Sequence, residues 1–339
     1  MVDEPLLDSD QALLARMTAP APSVREAVSR LDGDVLILGA GGKMGPSLAE
    51  LLVRAGARRV IGVSRFSDDS QRRRLESVGV RTIAADLMDE LALIDLPEAP
   101  YVYLLAGFKF GATGNESLTW AMNTWLPGRV LQRYPQSRLV YVSSGNVYAF
   151  TRAPGSGAAE DGELAPVGEY AMSRLGGERV AAHFARTQGT PLAIVRLFYA
   201  SELRYGIIHD LAWKVFHGEP IDLRMGWVNQ IWQGDANACL ARLFPWCDCP
   251  PVVVNLTGPA ALSVRWLAER LGEALGKEPS FTGSEADTAL LGDASRLLNR
   301  LQPDLVSAEQ LVAWVAHWVR TGGHSLGKPT KFDSRTGRF

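Results

Sequence analysis

Cysteine is scarce in this chain. Its three residues, Cys239, Cys247 and Cys249, are an odd number and form no CxxC pair. Neither a disulfide framework nor a thiolate metal site is expected, and a reducing cytoplasm is the expected setting. Histidine is also sparse, with five residues far apart and no HExxH, so no metal is expected. Neither sign of charge dominates: 35 Lys and Arg face 37 Asp and Glu, for a net charge of -2 and a pI near 6.2. Nucleic acid and anionic membrane surfaces are therefore not expected partners. No uncharged apolar run approaches the roughly 18 residues of a spanning helix. The acidic start (Asp3, Glu4, Asp8, Asp10) also lacks the basic-then-apolar order of a signal peptide. What is present is 47% apolar residues over 339, enough for one large α/β domain with a smaller lobe.

The most informative stretch is DVLILGAGGKMG, residues 34–45. An apolar run from Val35 to Leu38 meets glycines at 39, 42 and 45. Leu48, Leu51 and Leu52 then recur at helical spacing. This reads as strand, tight turn, helix. Gly39 permits the turn, Gly42 lets backbone approach a pyrophosphate, and Gly45 allows close helix packing. The free amides of a helix start favour phosphate. Lys43 and Met44, inside the turn, are counted with the glycines as cofactor contacts. A second apolar strand, Val60 to Val63, follows at the expected distance and supports a dinucleotide site.

Along the chain, residues 1–32 read as an N-terminal arm over the nucleotide lobe. It has helices near Ser9–Met17 and Ser23–Leu31, and disorder at the extreme end. Strands are expected at Val35–Leu38, Val60–Val63, Thr82–Ala84, Tyr101–Leu105, Leu139–Val142 and Leu192–Arg196, alternating with helices. That alternation predicts an α/β fold: a Rossmann-type doubly wound parallel sheet with a smaller, mostly helical C-terminal substrate lobe. The dinucleotide-binding domain is placed at 33–200, with 225–258 (WQGDANACLARLF and VVVNLTG) returning to its sheet. The substrate lobe is placed at 201–224 and 259–325, and the tail at 326–339 as a strap without chemistry. Leu311–Val319, with Trp314 and Trp318 four apart, reads as a packed helix face.

Ligands in such folds bind beyond the carboxyl ends of the strands. Ser64 and Arg65 close the second strand where an NAD site would carry an acidic residue. A hydroxyl plus a guanidinium suits a 2′-phosphate, so NADP is the expected cofactor, with NAD as the alternative. Asp86 and Leu87 follow the third strand. Leu105, Ala106 and Gly107 end the fourth and are counted as cofactor contacts, Ala106 and Gly107 being small enough to let a cofactor lie against the backbone, with Lys109 next as a candidate substrate contact. The fifth leads into SSGNVY, and later comes YAMSR, where Tyr170 and Arg174 share a helix face. A serine, a tyrosine and a fixed cation suit proton transfer at a carbinol oxygen while hydride moves at carbon. Lowering a phenol pKa from about 10 to about 7 needs roughly 4 kcal/mol. Asn146, Arg204 and His209 are further candidate substrate contacts; for Arg204 and His209 a structural role is the commoner alternative.

With these motifs in place, residues 34–300 resemble the extended short-chain dehydrogenase/reductases, the NAD-dependent epimerase/dehydratase family. The likeness rests on GxxGxxG at Gly39, Gly42 and Gly45, Asp86-Leu87, Asn123, SSxxVY at Ser143–Tyr148, YxxSR, and the GD at Asp235. It implies a cofactor on the N-terminal sheet, with Asn123, Tyr170 and Arg174 among its contacts, a C-terminal lobe closing on substrate, and frequent dimers. By motif position Ser144 matches the catalytic Ser/Thr, Tyr170 the acid/base, and Arg174 the family's lysine.

Three departures shape the expectation. Arg replaces Lys at 174, which keeps charge but changes shape. Gly145-Asn146 stands where sugar-nucleotide dehydratases carry an Asp-Glu pair, so dehydration is not expected. Val228 and Asn229 stand where nucleotide-sugar epimerases carry Arg-Asp, which points to a smaller polyol or hydroxy-acid substrate. The expected function is an NAD(P)-dependent oxidoreductase acting on a hydroxyl or carbonyl of a small sugar-like compound. The alternatives are a (nucleotide-)sugar epimerase without net redox change and a non-catalytic dinucleotide sensor.

Overall fold

The computed structural model describes residues 5–337. Its centre is a seven-stranded parallel sheet: β1 Val35–Leu38, β2 Val60–Ser64, β3 Arg81–Ala84, β4 Tyr101–Leu104, β5 Arg138–Ser144, β6 Leu192–Leu197 and β7 Val252–Leu256. The spatial order is β7-β6-β5-β4-β1-β2-β3, every pair parallel. β1 is buried at all four positions, as a central strand covered on both faces requires. One face carries a core that includes Val35, Ile37, Tyr103 and Val140. The other carries Leu36, Leu38, Val102 and Tyr141.

The helices that matter to the site are α1 Asp10–Met17, α2 Pro22–Ser29, α3 Gly45–Arg54, α4 Gly168–Gln188, α5 Ile207–His217, α6 Gln233–Leu240, α7 Val264–Leu275 and α8 Ala308–Arg320. Helices α5, α7 and α8 share a second core with Trp232, Trp314 and Trp318. None of the helices among the described residues is long and apolar enough to cross a membrane.

Two expectations change. The arm does not lie over the nucleotide lobe alone. Val24 and Val28 of α2 join the sheet core, whereas Leu13 and Met17 of α1 join the second core, and the Trp314 indole donates to Pro5 O at 3.0 Å. The disorder expected at the extreme N-terminus falls on residues outside those described. Of the two segments expected to return to the sheet, only β7 does. Gln230–Trp232 pairs with Tyr199–Ser201 in a separate ladder, and the QGDANACL run then coils as α6. Its polar side chains dock on α3: Gln233 Nε2 and Asn237 Nδ2 both donate to Ser47 Oγ, at 2.9 and 2.8 Å. An apolar β-pattern is missing from that run, so packing against the first Rossmann helix prevails.

Candidate active site

The turn after β1 is built as its glycines demand. Gly39 sits at φ +96°, and a Cβ there would come within 2.6 Å of Ala106 N; one on Gly41 would meet Ser64 Oγ at 2.5 Å. A Cβ on Gly45 would meet Ala40 O at 2.5 Å, so this glycine holds α3 against the turn and does not face a ligand. Helix α3 begins without a side-chain cap, leaving its first amides for an anion. Beside the turn lies a cleft of about 400 Å³. Gly39, Gly42, Ser64, Arg65, Asp86, Leu87, Leu105, Ala106 and Gly107 line it. Asp86 also accepts from Met88 N at 3.0 Å, which fixes the loop after β3. The glycine cradle, the open helix start and a wall of both polar and apolar residues fit a dinucleotide.

Asn123 and Arg174 act beneath that wall. Asn123 is fully buried in a short π-helical turn, Ala121–Trp125. Its Oδ1 accepts from Phe108 N and its Nδ2 donates to Phe108 O, both at 2.8 Å, with a further bond to Ser173 Oγ at 3.1 Å. It therefore pins the loop after β4. The Arg174 guanidinium donates to Val142 O and, at 3.4 Å, to Asn123 Oδ1. It fills the space behind Gly107, where a Cβ would come within 2.6 Å of its Nη1. The sequence reading aimed this cation at Tyr170; its bonds instead tie β5 to the loop after β4.

Ser144 and Tyr170 meet in a second cavity of about 160 Å³, walled also by Lys43, Lys109, Asn146, Tyr199, Tyr205 and Thr330. Ser144 closes β5 and caps the short turn that follows: its hydroxyl donates to Asn146 Oδ1 at 2.9 Å and accepts from Asn146 N at 3.2 Å. One lone pair of that oxygen is left for a ligand proton. Tyr170, 8% exposed, comes from the first turn of α4. The Gly39–Gly45 turn lies between the two spaces: Gly39, Gly41 and Gly42 face the cleft, while Lys43 and Met44 face the cavity. Lys43, which the sequence placed among the cofactor contacts, also lines a further space with Gly41, Gly42 and Ser47. Its ammonium donates to Ala200 O and lies 3.9 Å from the Tyr205 ring centroid.

Arg204 and His209 are not in this cavity. Arg204 is paired with Glu202 at 3.1 Å and Asp10 of α1 at 2.6 Å. His209 stacks near Trp213, with ring centroids 6.3 Å apart, and lines a groove between α5 and the tail. Tyr199, Tyr205 and Thr330 were missed; nothing local marks them, because the fold brings them in from β6's continuation and from the tail. Thr330 donates to Asp210 Oδ2 at 2.8 Å (N) and 2.6 Å (Oγ1), so the tail, expected to have no part in the site, closes one side of it.

Comparison with known proteins agrees with this architecture. The model of the NAD dependent epimerase/dehydratase family matches residues 35–201. No curated protein sequence matches. Among solved structures, the UDP-glucuronic acid 4-epimerase from Bacillus cereus in complex with NAD is 18% identical, with a TM-score of 0.70, covering 86% of this chain and 99% of its own. The UDP-glucose 4-epimerase from Thermotoga maritima with UDP-glucose is 17% identical at a TM-score of 0.69, with coverages of 85% and 98%. That of Thermus thermophilus in complex with NAD is 17% identical at 0.69, with coverages of 86% and 99%. At such identities the likeness establishes the fold. With six of the seven sheet strands and the Gly-rich turn inside the match, residues 35–201 are similar to the NAD dependent epimerase/dehydratase family, whose members are enzymes.

Proposed function

We propose that this enzyme binds a nicotinamide dinucleotide in the cleft beside Gly39–Gly45 and epimerises one carbinol of a small sugar-like substrate held between Ser144 and Tyr170. The observation that carries this reading is the meeting of Ser144 and Tyr170 in one cavity walled by the turn that also lines the cleft. When bound, the nicotinamide supplies a hydride acceptor and donor. Tyr170 holds the proton that leaves the carbinol oxygen as it becomes a carbonyl, and returns it afterwards. Ser144, fixed by Asn146, orients that oxygen. The sequence placed net oxidation first; the epimerases among the structural relatives support reversing that order. Net oxidation remains the second reading, because the same groups serve it.

The cavity's size supports a substrate without a nucleotide. At about 160 Å³ it falls below the roughly 300–1,000 Å³ of sites that take drug-sized ligands. Val228, standing where a diphosphate-binding arginine is expected, is an apolar side chain buried in the second core. Dehydration is disfavoured for a steric reason too, since any side chain at Gly145 would meet the Phe198 ring at 2.5 Å. Titration of the full chain with dinucleotide tests the reading. Saturable binding is expected, and no binding would overturn it.

The cofactor end carries its own prediction. Ser64, Arg65, Ser67 and Gln71 line the cleft, with no carboxylate from the stretch after β2. NADP(H) is expected to bind more tightly than NAD(H). Arg65→Ala is expected to lower that preference about tenfold or more, the worth of one charge-assisted hydrogen bond. Two of the relatives named above are in complex with NAD; equal or NAD-favouring titrations here, or an unchanged ratio in the variant, would refute the assignment.

A further inference from the structure

The tail closes one side of the substrate cavity at Thr330 and then runs on into a neighbouring space. We infer that residues 330–337 are an internal plug that sets substrate size, excluding any substrate that carries a further ring beyond its sugar-like part. The inference rests on the proposed reading that Ser144 and Tyr170 face the reacting carbinol, and it adds what bounds the rest of the molecule.

Three observations carry it. First, the two spaces share a wall. Asn146 and Tyr199 line the substrate cavity, and both also line the second space, together with Tyr148, Phe150, Met225 and Leu290. Ser334 and Gly337 of the tail line it too, and about 10 Å³ of it is left open, no more than one water requires. Its aromatic and aliphatic side chains offer apolar contact to a ring where the tail now sits. Second, the tail is fastened on both sides of this space. Phe332 is buried in the second core, and Thr330 donates twice to Asp210. Beyond them the Arg335 guanidinium donates to Thr288 O at 2.7 Å and to Thr288 Oγ1 at 2.6 Å, and its Cζ stands 4.5 Å from the Phe150 ring centroid. Third, the tail reaches the helix that bears Tyr170. A Cβ on Gly168, the first residue of α4 at φ +83°, would come within 2.5 Å of Gly337 O. Glycine at that position lets the tail lie against the helix start.

The fastening is divided, which makes the plug separable from the fold. Phe332 and Thr330 tie the tail to the second core and to α5, whereas Arg335 holds the stretch that fills the space. Thr288–Ala289 pairs with Thr151–Arg152, next to Phe150, so this one side chain grips both halves of a short ladder. Arg335→Ala removes the second fastening and leaves the first. Residues 333–337 are then free to move aside, and the cavity gains the room beyond Asn146 and Tyr199.

Two probes test this: phenyl β-D-glucoside, a sugar carrying one further ring, and phenol, which is that ring alone. Calorimetry on the full chain saturated with dinucleotide is expected to show phenyl β-D-glucoside binding Arg335→Ala about tenfold or more tighter than wild type, the worth of burying one aromatic ring. Phenol binding is expected to stay unchanged. Thr288→Ala, which takes one acceptor from Arg335 at the other end of the contact, is expected to gain in the same direction by less. Retained dinucleotide binding and a wild-type unfolding midpoint show that a variant is folded, and Thr288→Ala decides alone if Arg335→Ala is not. Unchanged affinity for phenyl β-D-glucoside in the folded variants would overturn the inference, as would an equal gain for phenol, which marks unspecific apolar exposure. Because the readout is binding, a plug that works in a chain that never turns over would sink the epimerase reading and leave the size filter standing.

Discussion

Tyr170→Phe is expected to lose about 10²- to 10⁴-fold in turnover, roughly 3–5 kcal/mol of barrier, while dinucleotide binding stays near wild type. The argument is geometric. Tyr170 presents its side chain to the cavity shared with Ser144, whereas the described wall of the dinucleotide cleft does not include it. Removing one hydroxyl keeps the ring against Phe108 and Ala112, with which it packs. Turnover by the phenylalanine variant within a few-fold of wild type would move the acid/base role elsewhere. Lys109, beside the Tyr170 ring and lowered to about 8, would then be the group to examine.

The largest stability effect is expected one layer below. Glu178 of α4 and Arg196 of β6, both 4% exposed, form a buried pair with Nη2 to Oε2 at 2.8 Å. Ser143 Oγ donates to Glu178 Oε1 at 2.6 Å, and Arg196 Nη1 donates to the Tyr148 hydroxyl at 2.7 Å and to Glu160 O at 3.0 Å. The network ties the helix bearing Tyr170 to the strand end bearing Ser144. Glu178→Gln leaves the guanidinium buried without its counter-charge, a change that typically costs about 3–5 kcal/mol. Denaturant unfolding is expected to show a lower midpoint with an unchanged slope. A loss below about 1 kcal/mol would mean that water or Glu160 relieves the charge, and that the network is not what fixes the site.

Much of this was legible in sequence because the signals are local. A glycine needing positive φ, a four-residue apolar strand and a helix start fall within the twelve residues 34–45, and each constrains the backbone on its own. The alternation of strands and helices likewise gave the sheet. What was not legible depends on distant partners. Lys43 reads as a phosphate contact within its turn, and the partners of its side chain, Ala200 and Tyr205, are brought in by the C-terminal half. For Arg204 a structural role is the commoner reading in sequence, but its partners, Glu202 and Asp10 of α1, are visible only once the chain folds. Thr330 carries no motif at all; its place follows from Phe332, buried in the second core, which anchors the tail across α5. Arg174 matched its family position, yet its bonds run to Val142 and Asn123, because a planar fork behind Gly107 reaches backbone where a lysine would extend differently.

The central claim is reversible hydride transfer at a carbinol without net redox change, and proton NMR of a sugar acid turned over with far less dinucleotide than substrate tests it most directly. The account predicts that one carbinol centre inverts, that conversion runs well past the amount of dinucleotide supplied, and that reduced nicotinamide does not accumulate. Conversion that stops at the amount of dinucleotide, with an equal yield of reduced nicotinamide and a ketone or lactone product, would contradict it and make the enzyme a net oxidoreductase.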